Sequence, residues 1–175
     1  MAAVLIQSDR HSMNKKEIHD AITEALLNRF KTAELAAKQA HQAATGDESV
    51  AENKYDTFGL EASYLAHGQS QRVIECEQDW LLFSKKTHHL HCIDSPVTLW
   101  TLVELEPLNS TLSEKKYFFI SPCAGGLSVE VSEKSIFSVT ASSPVGKALI
   151  GKMLDDEVCL TKNGHQVVYE ITSIQ

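Results

Sequence analysis

The sequence predicts an α+β protein, an antiparallel helical hairpin followed by an antiparallel β domain that carries one short helix. Three observations carry this reading. Apolar and small residues recur at steps of three and four through the first half of the chain. Proline is absent from residues 1–95 and then appears at Pro96, Pro107, Pro122 and Pro144. β-rich runs separated by turn signals fill the second half. The change of punctuation near residue 90 divides the chain into a helical unit, 1–90, and a β unit, 91–175.

The first helical series is Ile18, Ile22, Leu26, Phe30, Ala33, Ala37, Ala40 and Ala44, starting from about Asn14. The second is Ala51, Tyr55, Phe58, Ala62, Leu65, Gln69, Val73, Cys76 and Trp80. Between them, Thr45-Gly46-Asp47-Glu48-Ser49 supplies a glycine expected to end the first helix in the left-handed conformation. It also supplies Asp47 or Ser49 to cap the second helix. Some thirty residues at 1.5 Å rise make a rod on the order of 45 Å long. Its seam is bulky at the base and alanine-dominated toward the loop, so the rod is expected to taper.

Charge follows the same axis. Asp47, Glu48, Glu52, Asp56 and Glu61 gather at the loop end, and Lys15, Lys16, Lys85 and Lys86 at the open end. Helix starts favour acids and helix ends favour bases, which by itself accounts for much of this pattern. Several carboxylates at the tip of a rod are also what a contact to Mg²⁺ requires, because this hard cation takes oxygen ligands.

In the second half, Val97–Leu105 and Tyr117–Ile120 read as strands joined by a polar connection over Pro107–Lys115, and Ser135–Thr140 reads as another. Ser143 is placed to cap a short helix with Pro144 at its first position. Asn163-Gly164, between Glu157–Lys162 and His165–Ser173, is a two-residue hairpin signal.

Composition excludes several functions. The chain has 175 residues, 43% of them apolar, and a net charge of −7. An acidic protein lacks the basic surface on which autonomous DNA binding depends. No run approaches the roughly 18 apolar residues of a spanning helix, and MAAVLIQSDR has no signal-peptide pattern, so a cytoplasmic protein without membrane contact is expected. Cys76, Cys92, Cys123 and Cys159 contain no CxxC pair and read as reduced thiols used as small core hydrophobes. His88, His89, His91 and Cys92 crowd four donors into one short segment, which cannot surround a tetrahedral ion unaided and reads as a surface cluster.

Gly146-Lys147 lacks the spacing of a phosphate loop, since Ala141 and Ala148 stand where glycine and a hydroxyl residue are needed. Ala124-Gly125-Gly126 is a turn, with no dinucleotide fingerprint. No nucleophile elbow or HExxH motif is present, so the chain is not expected to be an enzyme, nor to carry a cofactor of its own.

Ser142-Ser143-Pro144-Val145-Gly146-Lys147-Ala148-Leu149-Ile150-Gly151-Lys152, followed by Asp155-Asp156-Glu157-Val158, resembles the C-terminal domain of the bacterial Gre transcript-cleavage factors. Gly46-Asp47 and Glu52-Asn53-Lys54-Tyr55-Asp56 resemble the tip and early second helix of the Gre coiled coil. The resemblance covers residues 14–175. It implies a coiled-coil finger that enters the secondary channel of bacterial RNA polymerase, with indirect contact to nascent RNA, and an FKBP-like domain that docks on the channel rim. It implies, further, that tip acids help hold a second Mg²⁺ at the polymerase active centre, so that backtracked RNA is cut.

Carried over residue by residue, Asp47 and Glu52 match the tip acids, with Glu48 beside them. Asn53 and Tyr55 match neighbouring partner-contact positions, and Ser143 and Pro144 match the docking loop. One departure stands out, for Asp47 and Glu52 are five residues apart where the family pattern has three. A longer loop that displaces the carboxylates leaves a factor that occludes the channel without promoting cleavage. Two other classes compete with this reading. Prolyl isomerisation is disfavoured by the scarcity of aromatics for a deep pocket, and the remaining alternative is a hairpin that forms a homodimeric bundle.

Overall fold

The computed structural model describes residues 14–46, 57–86, 95–108, 114–162 and 164–175. The boundary expected near residue 90 and the His88, His89, His91 and Cys92 cluster lie outside them. Helix α1 spans Lys15–Thr45 and α2 spans Phe58–Ser84, packed along one another. Strands β1 (Leu102–Pro107), β2 (Lys116–Ser121), β3 (Ser128–Val131) and β4 (Lys134–Thr140) follow. Helix α3 (Pro144–Leu149) then precedes β5 (Glu157–Lys162) and β6 (His165–Ile174). The six strands form one sheet in the order β3-β4-β2-β1-β6-β5.

Helix α1 starts where the sequence places it. The Asn14 side chain accepts a hydrogen bond from the Lys16 amide at 3.0 Å, satisfying one orphan donor of the first turn, and is held in place by donating its amide N–H to Glu17 Oε1 at 3.2 Å. Its far end differs from expectation. Gly46 has φ −70° and ψ 160°, so the chain leaves the helix in an extended conformation, not the left-handed one. Asp47 and Ser49, the expected caps of the second helix, lie outside the described residues, and α2 is described from Phe58 with Thr57 as its N-cap residue.

The seam of α2 also departs from the expected series. Phe58 and Leu65 are 53% and 57% exposed and point away, while Gly59 and Ala66 are half-buried in their places. The inward series is therefore Gly59, Ala62, Ala66, Gln69, Val73, Cys76, Trp80 and Phe83, with steps of three and four throughout, which is the period of paired helices. Opposite it, Ala33 and Ala40 of α1 are buried. Small side chains on both partners let the backbones approach closely, so the choice of Ala over Leu follows from size.

At the base the seam becomes bulky and joins the sheet. Ile18, Ile22, Leu26 and Phe83 are fully buried, in one cluster with Leu102, Tyr117, Phe119 and Ile136 on one sheet face. Trp100 closes it edge-on to Phe83, with ring centroids 4.9 Å apart, and carries the Lys86 ammonium 5.2 Å above its own ring. Lys15 sits in the same corner. Burial and then the neighbouring Lys86 charge lower its pKa. The opposite sheet face packs Val103, Leu105, Phe118 and Ile120 against Leu149 of α3, Tyr169 and Ile171.

Three features of the β unit correct the sequence reading. Val97–Thr101 is not strand, because Trp100 has φ 70° and turns the chain so that β1 begins at Leu102. A further strand, β3, pairs with β4 across a turn at Ser132 and Glu133, both with positive φ and neither glycine. The sheet is mixed, not wholly antiparallel, since β4 runs parallel to β2. Strand β3 takes the edge and leaves the place beside β2 to its partner. The β5–β6 hairpin pairs Lys162 with His165 and has Gly164 at φ 81°, as Asn163-Gly164 predicts.

The thiols divide by environment. Cys76 is buried, as expected, but Cys159 is exposed on the edge strand β5 and is not a core residue. Cys123 lies at the base of the hairpin, where burial pushes its thiol up to about 12, assisted by the charge of Asp79 and a hydrogen bond to it. The folded-state value is raised, so no thiolate is available near neutral pH. Iodoacetamide at pH 8 followed by peptide mass mapping is expected to label Cys159 and spare Cys123 until the protein is unfolded.

Gly146 fixes the distance of α3 from the sheet. A Cβ there would lie 2.0 Å from the Thr140 carbonyl oxygen, a backbone atom that has no room to retreat. Gly146→Ala is expected to destabilise the fold by about 3 kcal/mol, read as a lowered urea midpoint with an unchanged slope.

Candidate functional site

The chain presents two places where its sequence anticipates chemistry or contact. One is the far end of the hairpin. Asp47, Glu48, Glu52, Asn53 and Tyr55 all lie outside the described residues, and the described chain flanks them at Gly46 and Thr57. Glu61, in the first turn of α2, is exposed and accepts a hydrogen bond from the Thr57 hydroxyl at 2.8 Å. A carboxylate there lies at the positive end of the α2 dipole, a favourable place for negative charge. Among the described residues, no group of three or more His, Cys, Asp or Glu side chains is placed to hold a metal ion.

The rod that carries this end has 31 residues in α1, a length of about 46 Å at 1.5 Å per residue. Only its base enters the core clusters. The described residues of α1 beyond Leu26 and of α2 before Trp80 take no part in the core clusters packed on the sheet. The distal turns are thus held by the partner helix alone. No helix among the described residues is long and apolar enough to cross a membrane.

The other place is the entry to α3. Ser143 Oγ accepts from the Gly146 amide at 3.0 Å and donates to the Thr140 carbonyl at 2.7 Å, while the Ser143 amide donates to the same carbonyl at 3.0 Å. One residue therefore ties the end of β4 to the first turn of α3, as its place before Pro144 predicts. Pro144 itself is exposed. Sequence reasoning missed its surroundings. Ile150 and Met153, just past α3, are exposed, and so is Leu99. Backbone hydrogen bonds from Val97 to Lys152 (2.8 Å) and from Gly151 to Val97 (2.9 Å) bring the segment carrying Leu99 to that same end of the sheet. The signal available was an apolar residue at the last turn of a six-residue helix, which reads as core by default.

Two outcomes separate the structural role of Ser143 from a contact role. Ser143→Ala removes the cap and is expected to cost about 1 kcal/mol, read as a lower thermal midpoint. Ser143→Thr keeps both the acceptor for the Gly146 amide and the donor to the Thr140 carbonyl and is expected to recover most of that loss.

Among solved structures, the chain is similar to the GreA factor homolog 1 (Gfh1) of Thermus thermophilus, at 20% identity with 87% of this chain and 94% of that one covered and a TM-score of 0.37. Gfh1 of Thermus aquaticus matches at 18% identity, covering 89% and 94%, with a TM-score of 0.37. The prokaryotic transcription elongation factor GreA/GreB from Nitrosomonas europaea matches at 17% identity, covering 66% and 91%, with a TM-score of 0.34. No protein-family model matches the chain, and no curated protein matches it.

Proposed function

We propose that this protein is a Gre-like transcription factor. In this reading its hairpin enters the secondary channel of bacterial RNA polymerase, while the Ser143–Pro144 end of the β unit docks on the channel rim. The observation that carries the reading is a long two-helix rod, joined to the sheet at its base alone, whose distal connection holds Asp47, Glu48 and Glu52. A thin acidic probe on a globular base suits delivery of carboxylates into a narrow reaction centre. Asn53 and Tyr55 lie in the same segment and serve as contacts to the polymerase. The chain is an activator, not an enzyme by itself, and works in the cytoplasm.

Asp47 and Glu52 supply oxygen donors of the type Mg²⁺ prefers. The ion, bound jointly with the polymerase, supplies Lewis acidity and a lower pKa for the water that attacks backtracked RNA. The protein's own task is placement. The five-residue spacing of Asp47 and Glu52 favours a second reading, in which the hairpin occupies the channel and modulates transcription without promoting cleavage. Displacement of about 1 Å is enough to lose roughly 10²-fold in rate.

A stalled, backtracked complex with Mg²⁺ tests both. Shortened RNA on addition of the protein is the expected result, with Asp47→Ala slowing cleavage about 10²-fold at unchanged polymerase binding. Binding without cleavage selects the second reading. Failure to co-elute with polymerase overturns both.

A further inference from the structure

The outer face of α2 carries apolar residues that the fold of one chain does not bury. Leu60, Tyr64 and Leu65 are 57%, 70% and 57% exposed, within two turns of one helix. Scattered apolar residues on a surface are ordinary, but three large ones on adjoining positions make a patch. Beside them stands Gly68, where an added Cβ would meet nothing within 4 Å. Glycine weakens a helix interior relative to alanine, and neither backbone conformation nor packing within this chain calls for it here. What it does provide is a notch on the exposed side.

The stripe that contains the notch is self-complementary. Glu61, Leu65, Gly68 and Arg72 follow one another at steps of four, three and four, so they lie in one line along the helix, and all four are exposed. Lay a second α2 antiparallel over this line with Leu65 at the Gly68 notch of the other copy. The same register then sets Glu61 opposite Arg72 of the other copy, and the two-fold axis repeats both contacts. Opposite charges at both ends and an apolar residue against a glycine at the centre fit one another without any second kind of surface.

Half-exposed side chains of this size each offer on the order of 100 Å². Tyr64, Leu65, Glu61 and Arg72 border this line, while Leu60 lies too far around the helix to join it, so the face amounts to about 400 Å² per copy, or about 800 Å² for the pair, the size of a weak, transient contact.

We propose that two copies of this chain associate reversibly through the outer face of α2, antiparallel, with Leu65 seated at Gly68 and Glu61 paired with Arg72. The association is independent of whether the chain binds polymerase. If it does, the paired state thickens the distal hairpin to four helices and competes with entry into a narrow channel.

Sedimentation equilibrium of the full chain from about 1 to about 300 μM spans the range expected of an interface of this size. The mass is expected to rise from 19.3 kDa toward twice that value. Glu61→Arg is expected to weaken the association roughly tenfold by setting like charges opposite each other, and Glu61→Arg combined with Arg72→Glu to restore it. Leu65→Asp, with helicity checked by circular dichroism, is expected to abolish it. A monomer throughout the range overturns the proposal, as does association that survives Leu65→Asp. Failure of the double charge exchange to restore the Glu61→Arg loss overturns the antiparallel register.

Discussion

The architecture depends on one junction, the packing of the hairpin base on the sheet. Four side chains from the helices, Ile18, Ile22, Leu26 and Phe83, lose all contact with solvent among Leu102, Tyr117, Phe119 and Ile136. Burying such residues is worth roughly 1.5–3 kcal/mol each, so this cluster outweighs any single hydrogen bond in the molecule. Trp100 is its keystone. Its left-handed backbone ends the turn before β1 and aims the indole between Phe83 and Phe119, with Lys86 over the ring face. The conformation is uncommon for a bulky residue and persists here because Phe83, Phe119, the His19 imidazole and a cation fix the ring.

From that junction the hairpin changes character along its length. Phe30 stacks on Trp80 at a ring separation of 5.9 Å near the base, and beyond it alanine lines α1 while Cys76, Val73, Gln69, Ala66, Ala62 and Gly59 line α2. A seam of small residues gains less from burial than one of leucines. It places two backbones close together, which gives a narrow rod at the expense of stability toward its far end. The sheet is finished differently on its two faces, by the hairpin base on one and by α3 on the other.

Much of this was legible in the sequence, and the misses have physical reasons. Helix starts and short turns are written in local chemistry, so Asn14, the Ser143-Pro144 pair and Gly164 could be read residue by residue. The α2 seam was misread at two positions because Phe58 and Leu65 outrank Gly59 and Ala66 in hydrophobicity, whereas the close approach of α1 selects for size. Strand β3 escaped notice because its turn, Ser132-Glu133, takes positive φ without glycine or asparagine. The parallel β2–β4 pairing is a consequence of that missed strand, since no local signal records which strand becomes a neighbour. Of the candidate site, the Ser143-Pro144 entry to α3 was legible and its apolar surroundings were not. The tip acids were named from a resemblance, and they lie outside the described residues.

A rod fixed at one end converts angle into distance. Over about 46 Å, a rotation of about one degree at the base moves the far end by roughly 0.8 Å. Side chains such as Phe83 and Ile136 therefore set the aim of residues they never touch. Substitutions in this socket that leave the fold intact would still be felt at the opposite extremity, as errors of pointing.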